Sequence, residues 1–85
     1  MKAMEELQRE VSMMTSPWRW PRWPILCMKR SPMEESNFGC LAEIDGEVAP
    51  TIYPLVPGGF FKYDFGKPMK FMDFEAIYDA GWRVD

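Results

Sequence analysis

The stretch CLAEIDGEVAPTIYPLV, Cys40–Val56, decides the fold because it carries the clearest hairpin signal in the chain. Asp45-Gly46 lies between two strand-like runs, and this dipeptide favours a two-residue type I′ turn, which needs positive φ at both central positions. The second run contains Pro50 and Pro54. Because proline cannot donate to a sheet ladder, that run is predicted to be an edge strand or a strand interrupted by a bulge.

The sequence on either side of the hairpin predicts further strands. WPILCMKR, Trp23–Arg30, has the apolar character of a strand entering the core, with Pro24 at its start, where no ladder donor is needed. FFKYDF, Phe60–Phe65, alternates over its last five residues and predicts a half-buried strand, which a Gly-Lys-Pro turn joins to MKFM at 69–72. We expect an α+β fold with a small, mostly antiparallel sheet of about four to five short strands, an N-terminal helix and a C-terminal helix.

The N-terminal helix is predicted from a stripe of apolar residues at helical spacing. The stripe consists of Met4, Leu7, Val11 and Met14. Ser16-Pro17 ends the helix, because the residue before a proline is pushed out of the helical region. The stripe fits either packing on the chain's own sheet or the seam of a dimer.

The C-terminal helix has signals at both of its ends. Asp73 is the predicted N-cap, and Met72 and Ile77 are spaced as a hydrophobic staple. Gly81 is predicted to take the left-handed conformation that ends the helix, so that Trp82 contacts Ile77 in a Schellman motif. The last four residues, WRVD, form a tail or a final short strand.

A shorter helical segment is predicted between the first strand and the hairpin. Ser31 is a candidate N-cap with Pro32 at the first helical position, and Glu34 completes a capping box. We expect a short helix or 3₁₀ turn through about Asn37, closed by Gly39.

Length and composition describe one small domain. The chain has 85 residues, 47% of them hydrophobic, which argues against disorder, and its net charge of −3 argues against a surface built for nucleic acid. No apolar run approaches the roughly 18 residues of a membrane span, and no secretory signal begins the chain, so we expect a cytoplasmic protein that does not contact membranes. The domain, 1–85, divides into an N-terminal helix over 1–16, a Trp/Pro/Arg stretch and first strand over 17–30, a β-rich section over 31–72, and a C-terminal helix and tail over 73–85.

The residue types present argue against a catalytic site and against a metal site. There is no His, so the usual general base is missing and the two cysteines cannot complete a zinc site within one chain. Cys27 and Cys40 are predicted to be reduced, buried and structural. Three acids at the hairpin tip, Glu43, Asp45 and Glu47, are interpreted as a solvated turn. We therefore predict no catalytic residue, no metal, no cofactor and no enzymatic activity.

The stretch PWRWPRWP, at 17–24, is the one feature that points to binding. We call its aromatic and basic side chains the Trp/Arg strip: Trp18, Arg19, Trp20, Arg22 and Trp23. In a polyproline II helix, with three residues per turn, Arg19 and Arg22 would share one edge and Trp20 and Trp23 another. In composition this stretch resembles Trp-rich cationic antimicrobial peptides, and that resemblance implies membrane binding, against which the acidic remainder of the chain argues. The strip is either a recognition surface or, for Trp20 and Trp23, part of the core.

These observations favour a non-enzymatic binding module. Trp and Arg are enriched at interface hot spots, so the expected partner is another protein or a second copy of the chain, as a homodimer. The alternatives are a small-molecule pocket lined by aromatic and Met side chains, and a single-stranded nucleic-acid binder, the less favoured of the two. The small size and the absence of catalytic motifs suit an accessory protein of a phage or another mobile element.

Overall fold

A helix near each end of the chain packs against a run of short antiparallel strands. The computed structural model describes residues 2–58 and 62–85, and within these ranges it contains two α-helices and six strands. The elements are α1 (Lys2–Met14), β1 (Ile25–Lys29), β2 (Phe38–Ile44), β3 (Glu47–Val48), β4 (Thr51–Pro54), β5 (Met69–Lys70), α2 (Phe74–Asp79) and β6 (Arg83–Val84). The strand order is β5-β4-β2-β1-β6, with β3 also paired to β2, and these pairings are antiparallel. The predicted α+β class is confirmed.

The predicted hairpin turn joins β2 to β3. Asp45 and Gly46 have φ angles of 54° and 81°, as the type I′ turn requires. The second arm is interrupted after β3, as the prolines predict, and resumes as β4. However, β4 is not an edge strand, because it pairs with β2 on one side and with β5 on the other.

The segment predicted as a half-buried strand at 60–65 departs from the prediction. Phe60 and Phe61 lie outside the described residues, and the rest of the expected strand is reduced to one bridge, between Leu55 and Tyr63. Asp64 ends the pairing because its carboxylate accepts a hydrogen bond from the Gly66 amide at 2.9 Å and turns the backbone. A half-buried strand over Phe60–Phe65 is therefore wrong for the described part.

The core lies between the helices and one face of the sheet. Its fully or nearly fully buried apolar side chains are Met14, Trp20, Leu26, Met28, Leu41, Ile52, Ile77 and Trp82. Gly39 is essential to this packing: a Cβ there would lie 2.6 Å from Ile52 Cγ2 and 3.5 Å from Trp82 Cη2. The prediction that Gly39 closes a helical turn is wrong, because this residue lies inside β2 and leaves room for Ile52 and the Tyr53 carbonyl of β4.

The segment between β1 and β2 is held by Asn37 rather than by a capping box. Ser31 and Glu34 are exposed, Glu34 makes no side-chain cap, and the 3₁₀ helix covers Glu35–Asn37. The side-chain nitrogen of the buried Asn37 donates to the Pro32 carbonyl at 2.7 Å, and its side-chain oxygen accepts from Arg30 Nε at 2.9 Å. The turn through Asn37 is confirmed, but the helix start predicted at Ser31 is wrong, since these hydrogen bonds fold the segment back on itself.

The ends of α2 follow the sequence except for the staple. Asp73 accepts a hydrogen bond from the Ala76 amide at 2.8 Å, and Gly81 has a φ of 97°. The amides of Trp82 and Gly81 donate to the carbonyls of Ile77 and Tyr78, the two bonds of a Schellman motif. Met72, in contrast, is 92% exposed while Ile77 is buried by the core, so the predicted staple does not form.

Helix α1 packs on the chain's own fold and covers the open edge of β6. Glu10 accepts a hydrogen bond from the Val84 amide at 2.7 Å, and Glu6 forms an ion pair with Arg83 at 3.0 Å. The N-terminal end of the apolar stripe stays open, since Met4 is exposed. No helix among residues 2–58 and 62–85 has the length and apolar character needed to cross a membrane.

Candidate functional site

The Trp/Arg strip is divided by the fold instead of forming one helical ribbon. Pro17–Arg19 is a 3₁₀ helix, and Arg22 forms a β-bridge with Ile25, so the stretch does not form the polyproline II helix that would align the two arginines on one edge. The cause is Trp20, whose ring is drawn into the core and is 4% exposed. Its indole nitrogen donates at 2.7 Å to the Met13 carbonyl, which also accepts from the Ser16 amide at 3.2 Å, so the ring is fixed to the end of α1.

The other four residues of the strip are exposed, and its two arginines lie against different parts of the fold. Trp18 is 79% exposed and Trp23 is 60% exposed. Arg19 donates to Ser12 Oγ on α1 at 3.3 Å, whereas Arg22 lines a cavity on the opposite side of the sheet from the core. The alternative that placed both Trp20 and Trp23 in the core is therefore right for Trp20 and wrong for Trp23.

The sheet has a second face, opposite the helices, that the sequence did not single out. Leu26 and Met28 of β1 point into the core, so the alternation of a strand places Cys27 on the other side. By the same alternation and the pairing register, the second face consists of Ile25, Cys27, Lys29, Phe38, Cys40, Ala42 and Tyr53. Residues 62–65 cover part of it, with the Tyr63 hydroxyl donating to Cys27 Sγ at 3.3 Å and the Phe65 ring 4.7 Å from the Tyr53 ring.

A cavity of about 370 Å³ opens on this second face. The lining that matters to its chemistry is Arg22, Ile25, Cys27, Phe38, Leu55 and Tyr63. The volume is near the lower end of the range for small-ligand sites, about 300–1,000 Å³. A larger depression of about 520 Å³ runs along α1, but its lining includes exposed polar and charged side chains such as Glu5 and Arg9. The second-face cavity is therefore the better candidate site.

Two groups beside Cys27, the Tyr63 hydroxyl at the cavity and the buried Cys40 thiol, are neutral near pH 7. Burial raises the pKa of the Cys40 thiol to about 12, and the nearby Cys27 adds to the effect. Burial and the hydrogen bond to Cys27 raise the pKa of Tyr63 above its usual range, which the Arg22 charge partly offsets. The lining also contains the Asp85 carboxylate, whose charge is paired with Lys29, so among the described residues the free charge at the cavity is that of the Arg22 guanidinium. An apolar lining with such a guanidinium is suited to bind an apolar group that carries a negative charge.

Arg22 supplies that charge without a partner in the described part of the chain. It forms no ion pair with any of residues 2–58 or 62–85, whereas Lys29, on the same face, pairs with Asp85 at 3.3 Å. Trp23 follows it and donates through its indole nitrogen to Glu43 at 3.2 Å. Trp23 lies in the turn that brings Arg22 back to Ile25, and the Glu43 amide donates to the Pro24 carbonyl at 2.8 Å, so this turn is held against β2.

Sequence reasoning identified only Arg22 among the six lining residues named above. Arg22 and Trp23 belonged to the Trp/Arg strip, but Cys27, Phe38, Leu55 and Tyr63 were not predicted to line a cavity. The alternation around Cys27 was a usable signal, because Leu26 and Met28 are the larger apolar residues and fix the core face. No local pattern indicated that Tyr63 lines the cavity, because its hydroxyl reaches Cys27 from a distant part of the chain.

Two other predicted features are placed as follows. Asp45 and Glu47 are exposed, in keeping with a solvated turn, and no cluster of three metal-ligating residues occurs in the ranges the structure describes. Both cysteines are free thiols. Cys40 is buried as predicted, but Cys27 is only half-buried because it faces the cavity.

Comparison with protein families, with curated proteins and with solved structures finds no significant match to this chain. A function must therefore be argued from the chemistry of the site itself.

Proposed function

We propose that the chain is a non-enzymatic binding module that recognises a partner protein through the second-face cavity, with Arg22 and Trp23 at its edge. The observation that carries this proposal is the exposed Arg22 beside an apolar cavity, unpaired by the described residues. The partner segment would place an apolar side chain in the cavity and a carboxylate on the guanidinium. Arg and Trp are the residues most often found at interface hot spots.

A peptide segment fits this surface better than a small molecule alone. The exposed side chains of Ile44, which alternation places on the second face, and of Phe65, which packs on Tyr53, do not line the cavity, so exposed apolar side chains extend beyond it. Contiguous exposed apolar surface rimmed by polar groups marks interaction sites. A single-stranded nucleic acid is disfavoured, because Arg19 is held on α1 and the strip presents no continuous row of cations.

The test selects peptides from a display library of random dodecapeptides on the purified chain. We expect the enriched peptides to carry Asp or Glu next to Leu, Phe or Trp. An enriched peptide is then synthesised and titrated by calorimetry. Arg22→Gln and Trp23→Ala should each weaken its binding at least about tenfold, the loss of about 1.4 kcal/mol expected for hot-spot residues.

Two exposed residues of the same types outside the cavity lining provide matched controls: Arg9→Gln for Arg22 and Trp18→Ala for Trp23. Neither should change the affinity by more than about twofold, because surface positions outside an interface contribute little. Binding that survives both cavity-edge substitutions would overturn the proposal.

A small-molecule site is the second candidate, supported by the volume and apolar floor of the cavity. Aromatic carboxylates tested alone by thermal shift distinguish it, since a small-molecule site raises the melting temperature with such a compound and without a peptide. The role as an accessory protein of a phage or mobile element stays a prediction, which the identity of the flanking genes would check.

A further inference from the structure

The two cysteines occupy directly opposite positions on neighbouring strands. Cys27 of β1 is in register with Cys40 of β2. Both side chains lie on the second face, and the influence of Cys27 on the ionisation of Cys40 agrees with their closeness. The pairing of β1 with β2 therefore holds the two cysteines side by side although they are distant in the sequence.

The backbone hydrogen bonds define which kind of pair this is. The Cys27 carbonyl accepts from the Asp85 amide, so Cys27 directs its backbone groups to β6 rather than to β2. Backbone hydrogen bonds join the two strands at the pairs Arg30–Asn37 and Pro24–Glu43, which lie three positions to either side of Cys27–Cys40. Hydrogen-bonded and non-hydrogen-bonded pairs alternate along an antiparallel ladder, so an odd separation makes the cysteines a pair of the other type. Cys27 and Cys40 are therefore a non-hydrogen-bonded pair, the closer of the two antiparallel types, with Cα atoms about 4.5 Å apart.

That spacing lies within the range for a disulfide, whose Cα atoms are usually about 4.4–6.8 Å apart. Opposite Cβ atoms in a sheet are about 4.5–5.5 Å apart, whereas a disulfide needs about 3.5–4.5 Å. The strands would have to approach slightly, and the resulting bond would be strained. Strained disulfides are the ones that are readily reduced.

We propose that Cys27 and Cys40 form a reversible dithiol site, which small disulfides convert to an intramolecular bridge. The two thiols differ in access. Cys27 lines the cavity and meets the reagent, while the fully buried Cys40 completes the bridge. Cys27 also lines the proposed binding cavity, but the dithiol site does not require a partner to bind there.

The reaction balances with a low-molecular-weight disulfide, RSSR, as the oxidant. The Cys27 thiolate attacks one sulfur of RSSR, the S–S bond breaks, and the departing RS⁻ takes a proton and leaves as RSH. Cys40 then gives up its proton, its sulfur attacks Cys27 Sγ in the mixed disulfide, and the second RSH leaves. Overall the protein loses two hydrogen atoms and two electrons, and RSSR becomes two RSH.

The experiment incubates the reduced, folded chain with glutathione disulfide or the smaller 2-hydroxyethyl disulfide and follows intact mass without reductant. We expect the wild-type chain to lose two hydrogen atoms, a peptide map to join Cys27 to Cys40, and excess thiol to reverse the change. Cys40→Ala should stop at a mixed disulfide on Cys27. Cys27→Ala should gain no adduct, because Cys40 is buried.

Near-ultraviolet circular dichroism establishes that each variant is folded, and Cys40→Val replaces Cys40→Ala where the smaller side chain unfolds the chain. The proposal is overturned when the wild-type chain retains a stable mixed disulfide on Cys27. It is equally overturned by a bridge between two copies, or by oxidation that occurs only after addition of urea.

Discussion

The indole nitrogen of Trp20 donates to the Met13 carbonyl at 2.7 Å, a bond to the end of α1 that Trp23, the next tryptophan of the strip, does not make. Trp20 closes the end of α1 and fills the core, with 4% of its surface exposed. Trp23 is 60% exposed and makes a hydrogen bond to the half-buried Glu43. Two tryptophans in the same local pattern therefore have different roles, one in stability and one available for recognition.

Truncation of each tryptophan should reveal this difference. Trp20→Ala is expected to lower the free energy of unfolding by about 3–5 kcal/mol, because a large buried aromatic leaves a cavity that the core cannot fill. Trp23→Ala should change it by less than about 1 kcal/mol, as for other exposed positions. Urea denaturation measures both. Equal losses for the two variants would contradict the placement of Trp23 at the surface.

Gly39 should tolerate no side chain. Gly39→Ala places a Cβ 2.6 Å from Ile52 Cγ2 and 2.9 Å from the Tyr53 carbonyl oxygen, so β2 or β4 must shift. We expect a loss of about 1–3 kcal/mol by urea denaturation, the usual range for overpacking. Gly66→Ala is the control, because its nearest neighbour is the Asp64 carboxylate at 3.2 Å in an exposed turn. A Gly39→Ala chain as stable as the Gly66→Ala chain would show that β4 is not packed this closely on Gly39.

Asn37 is expected to hold the connection between β1 and β2. Asn37→Ala removes its two side-chain hydrogen bonds, to Arg30 and Pro32, which together stabilise the fold by about 1–3 kcal/mol. Thermal unfolding by circular dichroism measures the loss. Ser36→Ala, at the exposed neighbouring position, should leave the melting temperature nearly unchanged. An unaltered melting temperature for Asn37→Ala would assign the shape of this segment to its backbone alone.

Local signals predicted the fold well because the interactions they describe span only a few residues. The turn at Asp45-Gly46 and the Schellman motif at Gly81 depend on the preferred φ of those residues and on backbone bonds nearby. The staple between Met72 and Ile77 failed although its spacing was right. Ile77 is surrounded by core residues distant in sequence, and no local pattern reports that competition.

The candidate site was harder to predict for the same reason. Whether Trp20 or Trp23 is buried depends on where the end of α1 and β2 lie, which the Trp/Pro/Arg pattern does not contain. The cavity needs Leu55 and Tyr63 to be brought over Cys27 by the chain after the hairpin. A sequence can thus show which residue types suit a binding surface before it shows which of them share one.

The homodimer predicted from the sequence is checked by mass. The exposed Met4 on α1 and the exposed Trp23 on the sheet are apolar surfaces on which two copies could meet. We expect light scattering to show a dimer whose fraction rises with concentration, and Met4→Glu to dissociate it if α1 is the seam. Dissociation by Trp23→Ala instead would assign the second face to self-association and contradict the partner-protein proposal. A monomer at all concentrations would refute the dimer itself.

Stability should fall as the pH rises above about 9, because Cys40 ionises less readily in the folded chain than in the unfolded one. Its pKa is raised from 9.0 to about 12 by burial and by Cys27, the cysteine opposite it on β1. The other titratable groups on this side of the sheet are Tyr53 on β4, Tyr63 and Arg22 at the cavity, and the ion pair of Lys29 with Asp85.

Below pH 9 the thiol is protonated in both states, and its contribution to stability is fully present. Between about pH 9 and 12 the unfolded chain loses the proton while the folded chain keeps it, so unfolding is favoured increasingly. Tyr63, whose pKa is also raised, acts in the same direction at higher pH. Calorimetry from pH 8 to pH 10.5 under reducing conditions should show a falling melting temperature in the wild-type chain. Cys40→Ala should flatten that slope, and an equal slope in both chains would mean that the Cys40 thiol is not shielded from water.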